Sequence, residues 1–282
     1  MTARSGSSRR IEQAQARFGQ VAFAEWLGVT IREVAHDRAV LVLPYRPEHL
    51  NAAGVLNGGA SASLVTMAGA LAAWTGADLD ADLHLSCVDL SVQYLAAAAE
   101  EDVMAEARVL RRGRGLVFLD VALRSQTGNL ICQGLRSYQT SDYAGQTPRL
   151  RAQHALLPAP TPLIPPGGHR LFRGYVRKLD ITPLHHSPGR VRLHMPCTAM
   201  HVDERGQLHA GALATAFAVQ LQEQGAPTRI RRVERVGPRR LVGNDDAPLS
   251  ELPHLECLGL QQHYCAHGSA IRVLAGVTPV GG

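Results

Sequence analysis

At 282 residues the chain suits one large domain or two of ordinary size, and its 45% apolar content fits a globular protein with a sizeable core. The formal charge of +5 rests on arginine, Lys178 being the single lysine; so uniform a choice reads as a coding preference, and nucleic acid is not expected as a partner. Five scattered cysteines without C-x-x-C spacing exclude a disulfide framework and a zinc site and point to a reducing cytoplasm.

The first ten residues are rich in Ser and Arg but lack an apolar core, so they read as a frayed tail and not as a secretory signal. Residues 11–26 place Ile11, Phe18, Val21 and Trp26 among polar positions, which predicts an amphipathic helix; Phe23 lies off that stripe. Residues 29–34 and 39–45 are rich in β-formers around a turn at His36-Asp37-Arg38. From Asn51 to Ala73 comes a stretch of Ala, Ser, Gly, Leu and Met, with no charged side chain between Glu48 and Asp78. Such a helix must be buried on nearly every side, and its small residues let neighbours approach closely. Ala, Gly, Ser and Asn make it too weakly apolar for a membrane span. Strands follow at 83–95, 103–110, 116–123 and 130–138, the middle pair joined by Arg111-Arg112-Gly113-Arg114-Gly115. The order predicts an α+β unit in which one long helix is wrapped by an antiparallel sheet.

The plan recurs. An offset of 152 residues carries Asn51, Gly54, Asn57, Gly58 and Gly59 onto Asp203, Gly206, His209, Ala210 and Gly211. The same register aligns Leu27, Thr30, Arg38, Leu41 and Pro44 with identical residues at 179, 182, 190, 193 and 196. This predicts an internal duplication: a first repeat over 1–143, a Pro-rich linker over 144–169 and a second repeat over 170–282. After the second helix the register shifts, so that Cys87–Tyr94 meets Cys257–Tyr264, and one more strand fits 270–277 before the sequence stops. The second unit is thus expected to lack its last two strands, leaving an exposed edge or room for an inserted segment.

A helix N-terminus offers unpaired N–H groups and the positive end of a dipole, and Gly58-Gly59 leaves that backbone open to a ligand. Aimed at a carbonyl under attack, such donors are worth about 3–4 kcal/mol each. Asn51 could add an amide donor or orient a water. The plainer reading is that Asn51 and Asn57 cap a turn and a helix. The basic clusters at 111–114 and 229–240 read either as solvated loops or as docking sites for an anion. His185, His186 and His201 lack a regular metal spacing, and no metal is expected. Neither a G-x-S-x-G elbow nor a P-loop is present.

Asn51-x-x-Gly54-x-x-Asn57-Gly58-Gly59, continued by Ser63-Leu64-Val65-Thr66, resembles the N-x-x-G-x-x-H-G-G-x-x-x-x-L-x-D motif of the hotdog-fold acyl-CoA thioesterases of the phenylacetate-pathway type. Cys87–Leu95 is similar to their T-V-D-L strand and Gly113-Arg114 to their strand turn. The resemblance implies a tandem, or double, hotdog in which two repeats imitate the family's dimer. One helix tip would polarise the thioester carbonyl while a carboxylate from the facing helix activates water or attacks. That carboxylate falls on Thr66 and Ala218, and the family's His falls on Asn57 while His209 retains it. Asp203 is similar to the D-x-x-G of the 4-hydroxybenzoyl-CoA branch. The expected active site therefore comprises Asp203 as base or nucleophile, Gly211 as oxyanion donor, His209, and Thr66 from across the seam. Asn51, Asn57, Gly58 and Gly59 would bind an acyl group without cleaving it, and Arg112 and Arg114 would meet the phosphates of coenzyme A.

The expected function is that of a cytoplasmic acyl-CoA thioesterase, with weak or redirected activity, whose coenzyme A arrives as part of the substrate and which needs no separate cofactor. A non-catalytic acyl-thioester binding or sensing module is the second reading, favoured by the missing helix carboxylates. A hotdog enoyl-CoA hydratase or dehydratase using Asp203 and His209 is the third. The sequence does not set the oligomeric state; hotdog sheets often pair, and the clipped second unit invites a homodimer of double hotdogs.

Overall fold

The computed structural model describes residues 2–77, 83–142, 174–187, 190–195, 198–203, 209–223, 233–236, 240–243, 257–265 and 268–276. The Pro-rich linker lies outside them. The chain opens with helices α1 (Thr2–Phe18) and α2 (Ala22–Leu27). The single helix expected over 11–26 is therefore broken, and the segment read as a frayed tail is helical from Thr2. The break falls where Gly19 donates to the Gln15 carbonyl and Val21 to that of Phe18, closing α1 in a turn. It rotates Phe23, off the stripe of a continuous helix, into the core of α2.

Strands β1 (Thr30–Ala35) and β2 (Arg38–Leu43) form the first hairpin, turned at Asp37 with φ of 57°. A short 3-10 turn (Pro47–His49) leads to α3 (Gly58–Thr75), of which all but Gly58 and Ala70 are buried. Then come β3 (Leu83–Tyr94), β4 (Val103–Arg112), β5 (Leu116–Ser125) and β6 (Leu130–Asp142). They pair antiparallel in the order β1-β2-β4-β5-β6-β3. Alternate residues face α3: Leu41 and Leu43 from β2, Ala105 and Ala107 from β4, Leu119 and Val121 from β5. Gly134 of β6 admits Val65 of α3, whose side chain fills the space a Cβ would need. This is the hotdog arrangement: a curved antiparallel sheet around one long helix.

The later part carries α4 (Gly174–Lys178), β7 (Thr182–Ser187), β8 (Arg190–His194), a second 3-10 turn (Ala199–His201) and α5 (Ala210–Glu223). The two 3-10 turns stand 152 residues apart, as do Phe23 of α2 and Tyr175 of α4. Strands β9 (Val233–Val236) and β10 (Arg240–Gly243) arise in the stretch that shifts the register. They are followed by β11 (Cys257–Cys265) and β12 (Gly268–Gly276). β12 pairs with β3, Ser269 opposite Tyr94 through Leu274 opposite Asp89, which extends the sheet as β12-β11-β9-β10. β11, the sequence counterpart of β3, therefore lies one strand further out. The hairpin β9–β10 pairs with the outer side of β11, and β10 lies against β8. Of the two expectations, an exposed edge or room for an inserted segment, β11 meets the second: strands of the inserted stretch pair with it. Among the described residues no helix is long and apolar enough to cross a membrane.

Candidate functional site at two facing helix tips

The tips of α3 and α5 are built alike. Ahead of α3, Asn57 takes an extended backbone and its Oδ1 accepts the Gly59 N–H at 2.8 Å. Ahead of α5, His209 Nδ1 accepts the Gly211 N–H at 3.0 Å. The chain enters both tips by the same route. The Asn57 N–H donates to the His49 carbonyl at 2.9 Å, and the His209 N–H to the His201 carbonyl at 2.8 Å. His49 and His201 are buried, one on each 3-10 turn, and burial pushes both imidazoles below the usual histidine range.

The helices meet reciprocally. A Cβ on Gly59 would overlap Thr215, and one on Gly211 would come within 2.6 Å of Ser63 Oγ. Thr215 and Ser63 are themselves related by the 152-residue offset. Glycine is needed at both places because two backbones approach there with no room for a side chain. Tyr175 spans the seam, its hydroxyl 3.0 Å from Ser63 Oγ, and burial raises its pKa. The Phe23 ring lies 4.9 Å from that of His209, with Trp26 stacked behind it at 5.7 Å.

His209 is neutral at ordinary pH. Burial first, and the charge of Arg136 second, push its pKa down to about 3. With Nδ1 accepting from Gly211, the proton resides on Nε2, so the ring offers a donor and not a base. Asn57 presents the same chemistry, with its oxygen held by the helix and its NH2 free to donate. The asparagine that departs from the family motif keeps one acceptor for the cap and one donor beyond it.

Several expected roles change. The Gly59 and Gly211 N–H groups are taken by their caps, which removes Gly211 as the oxyanion donor. The first-turn donors without an intrahelical acceptor at the very tips are Gly58 and Ala210. The space over Gly58 and Gly59 is filled by protein, Gly58 facing the Tyr94 ring and Gly59 facing Thr215. The Tyr94 hydroxyl also donates to the Gly58 carbonyl at 2.8 Å. Asn51 Oδ1 closes its own turn, accepting from Ala53 and Val55 at 2.9 and 3.4 Å. Thr66 is not poised for chemistry: its hydroxyl donates to the Ala62 carbonyl at 2.8 Å and accepts from Arg136 Nη1. Arg112 pairs with Asp37 and donates to the Ala73 carbonyl at 2.9 Å, clamping the C-terminal end of α3. That is about 23 Å of helix from Gly58. Arg114 is exposed on the β4–β5 turn at the same end. Asp203 is half-buried directly after the second 3-10 turn. No group of metal-ligating side chains occurs among the described residues.

Arg136, on β6, was not among the expected site residues. It is only 2% exposed, yet its Nε and Nη2 have no hydrogen-bond partner. Its guanidinium lies 4.6 Å over the Tyr138 ring, whose hydroxyl donates to the Thr66 carbonyl at 2.9 Å. The readable signal was its register. Cys132, Arg136 and Tyr138 share the inward face of the strand, and an arginine in that alternation is out of place unless it has work to do.

Residues 53–132 match the family model described as Thioesterase superfamily. Acyl-coenzyme A thioesterase 13 of Homo sapiens is 31% identical over 146 residues, covering 48% of this chain and 94% of that protein. The Mus musculus protein of the same name is 29% identical over 117 residues, covering 38% and 75%. Among solved structures, the PaaI protein of the E. coli phenylacetic acid degradation operon matches with a TM-score of 0.44 at 21% identity, over 48% of this chain and 95% of that one. With a relative above 30% identity aligned over nearly its full length, and with the helix-in-sheet unit beneath that alignment, the chain belongs to the thioesterase superfamily.

Proposed function

We propose that the chain is a tandem double hotdog that hydrolyses an acyl-CoA thioester at the seam between its halves, with the cleaving site at the tip of α5. The observation that carries this reading is the reciprocal packing of α3 and α5, Gly59 on Thr215 and Gly211 on Ser63. It sets each helix tip against the other helix, as a site shared between two copies requires. The relatives named acyl-coenzyme A thioesterase supply the substrate class. Both tips are packed against the other helix, and at the α3 tip the Tyr94 ring also faces Gly58; cleavage is assigned to the α5 tip because it carries His209 and follows Asp203.

There the Ala210 N–H and His209 Nε2–H polarise the carbonyl and hold the oxyanion as it forms. Asp203 takes a proton from water, whose oxygen bonds to the acyl carbon. The C–S bond then breaks, and coenzyme A leaves as its thiol with that proton. Replacing Asp203→Asn should lower thiol release from the best of a panel of short, long and aromatic acyl-CoAs by at least about 10²-fold, with the fold unchanged by circular dichroism. Unaltered turnover would remove Asp203 from the mechanism.

The second reading, a binding module without turnover, is favoured by Thr66: its hydroxyl is engaged on both sides where the family motif has a carboxylate. Saturable binding of acyl-CoA without thiol release would select it. A hydratase needs an Asp/His pair acting on the α and β carbons, and to such a pair His209 brings only its Nε2–H, since Nδ1 is taken by the Gly211 N–H.

A further inference from the structure

Arg136 is a permanent cation, since its guanidinium does not deprotonate in proteins. Enclosed at 2% exposure, it has a single hydrogen-bond acceptor, Thr66 Oγ1 on Nη1, and the face of the Tyr138 ring. Among the described residues no carboxylate pairs with it. A buried charge without a counter-charge is strongly unfavourable, so the arrangement calls for an anion. The two unpartnered nitrogens, Nε and Nη2, share one edge of the planar group, and that edge matches the two oxygens of a carboxylate. A carboxylate at position 66 would have supplied the counter-charge from within the chain; the threonine leaves the edge open. Arg136 also lies near the α5 tip: Gly211 packs on Ser63, and Thr66, to which Arg136 is bonded, is the next turn of α3.

We propose that the acyl group of the substrate carries its own carboxylate, held by the Nε–Nη2 edge of Arg136 while the thioester carbonyl lies at the α5 tip. This rests on the reading of that tip as the thioester site, and it names the substrate class: the coenzyme A half-thioester of a dicarboxylic acid. Arg136 is then a specificity residue, and Thr66 positions it.

The test compares glutaryl-CoA with pentanoyl-CoA, equal in carbon number and differing in the terminal charge. Thiol release is measured on both thioesters, and calorimetric binding on their non-hydrolysable thioether analogues. The expected result is a preference for the charged compound on the order of a hundredfold, falling to near one in Arg136→Met and to an intermediate value in Arg136→Lys. Thr66→Asp, which supplies an internal carboxylate, should also abolish the preference, and it decides the matter should Arg136→Met not fold. Equal binding of the two thioethers to the unaltered protein, or binding of neither, overturns the proposal. A preference in binding without thiol release from either thioester upholds it while overturning hydrolysis as the function.

Discussion

At position 209 a histidine does what an asparagine does at 57, and the shared feature is a cap that accepts at one end and donates at the other. Enclosure of that imidazole has a consequence for acid stability. The folded pKa of His209 is near 3 against 6.5 for the ordinary group, so between those values the unfolded chain binds a proton that the folded chain does not. Stability is therefore flat above about pH 6.5 and falls as the pH is lowered through this window. The loss reaches up to about 1.4 kcal/mol per pH unit for one histidine. His49 and His201, also depressed by burial, act in the same direction. His209→Asn keeps the cap and removes the titration, so its melting temperature should decline less steeply from pH 7 to 4.5. Parallel melting curves for the two proteins would show that His209 does not stay neutral inside the fold.

For whole elements, legibility followed how strongly one physical pattern dominated a stretch. α3 could be read because a charge-free run of small residues has nowhere to go but the interior, and β1 to β6 because runs of β-forming residues are set off by turn residues. The break at Gly19 was lost because the apolar stripe continues across it, and β9 and β10 lie in Arg- and Pro-rich sequence with no strand period of its own. The site was less legible, since which glycine another helix covers is settled by pairs of residues some 150 positions apart. Arg112 shows the difference. As a surface cation it suggested phosphate binding; in place it ties Asp37 of the first hairpin to the last turn of α3. Arg112→Ala should cost about 1–3 kcal/mol, seen as a drop of several degrees in melting temperature. The KM for acyl-CoA should stay within about twofold, because no uniform binding is lost. A tenfold rise in KM with an unchanged melting temperature would return Arg112 to the phosphates.

In the molecule as a whole, each half closes a surface the other leaves open. β12 covers the edge of β3 over Asp89 to Tyr94, α5 lies along α3 where Gly59 and Ser63 face it, and Lys178 reaches Glu48 at 2.7 Å. The ion pair is partly exposed and contributes little, although it holds the Glu48 carboxyl below the usual range. The strand edge and the helix seam carry the association. An uncovered β3 would present a row of unpaired backbone groups, and an uncovered α3 a strip of small apolar residues with nothing to bury it. A chain ending at residue 142 should therefore not persist as a monomer. It should pair with a second copy of itself across β3 and the α3 seam, where Gly59 and Ser63 can meet their own equivalents, or else aggregate. Sedimentation equilibrium across a range of concentrations separates the outcomes. A stable, folded monomer at all concentrations would mean that the second half closes neither surface, and the site proposed at the α5 tip would lose its structural basis.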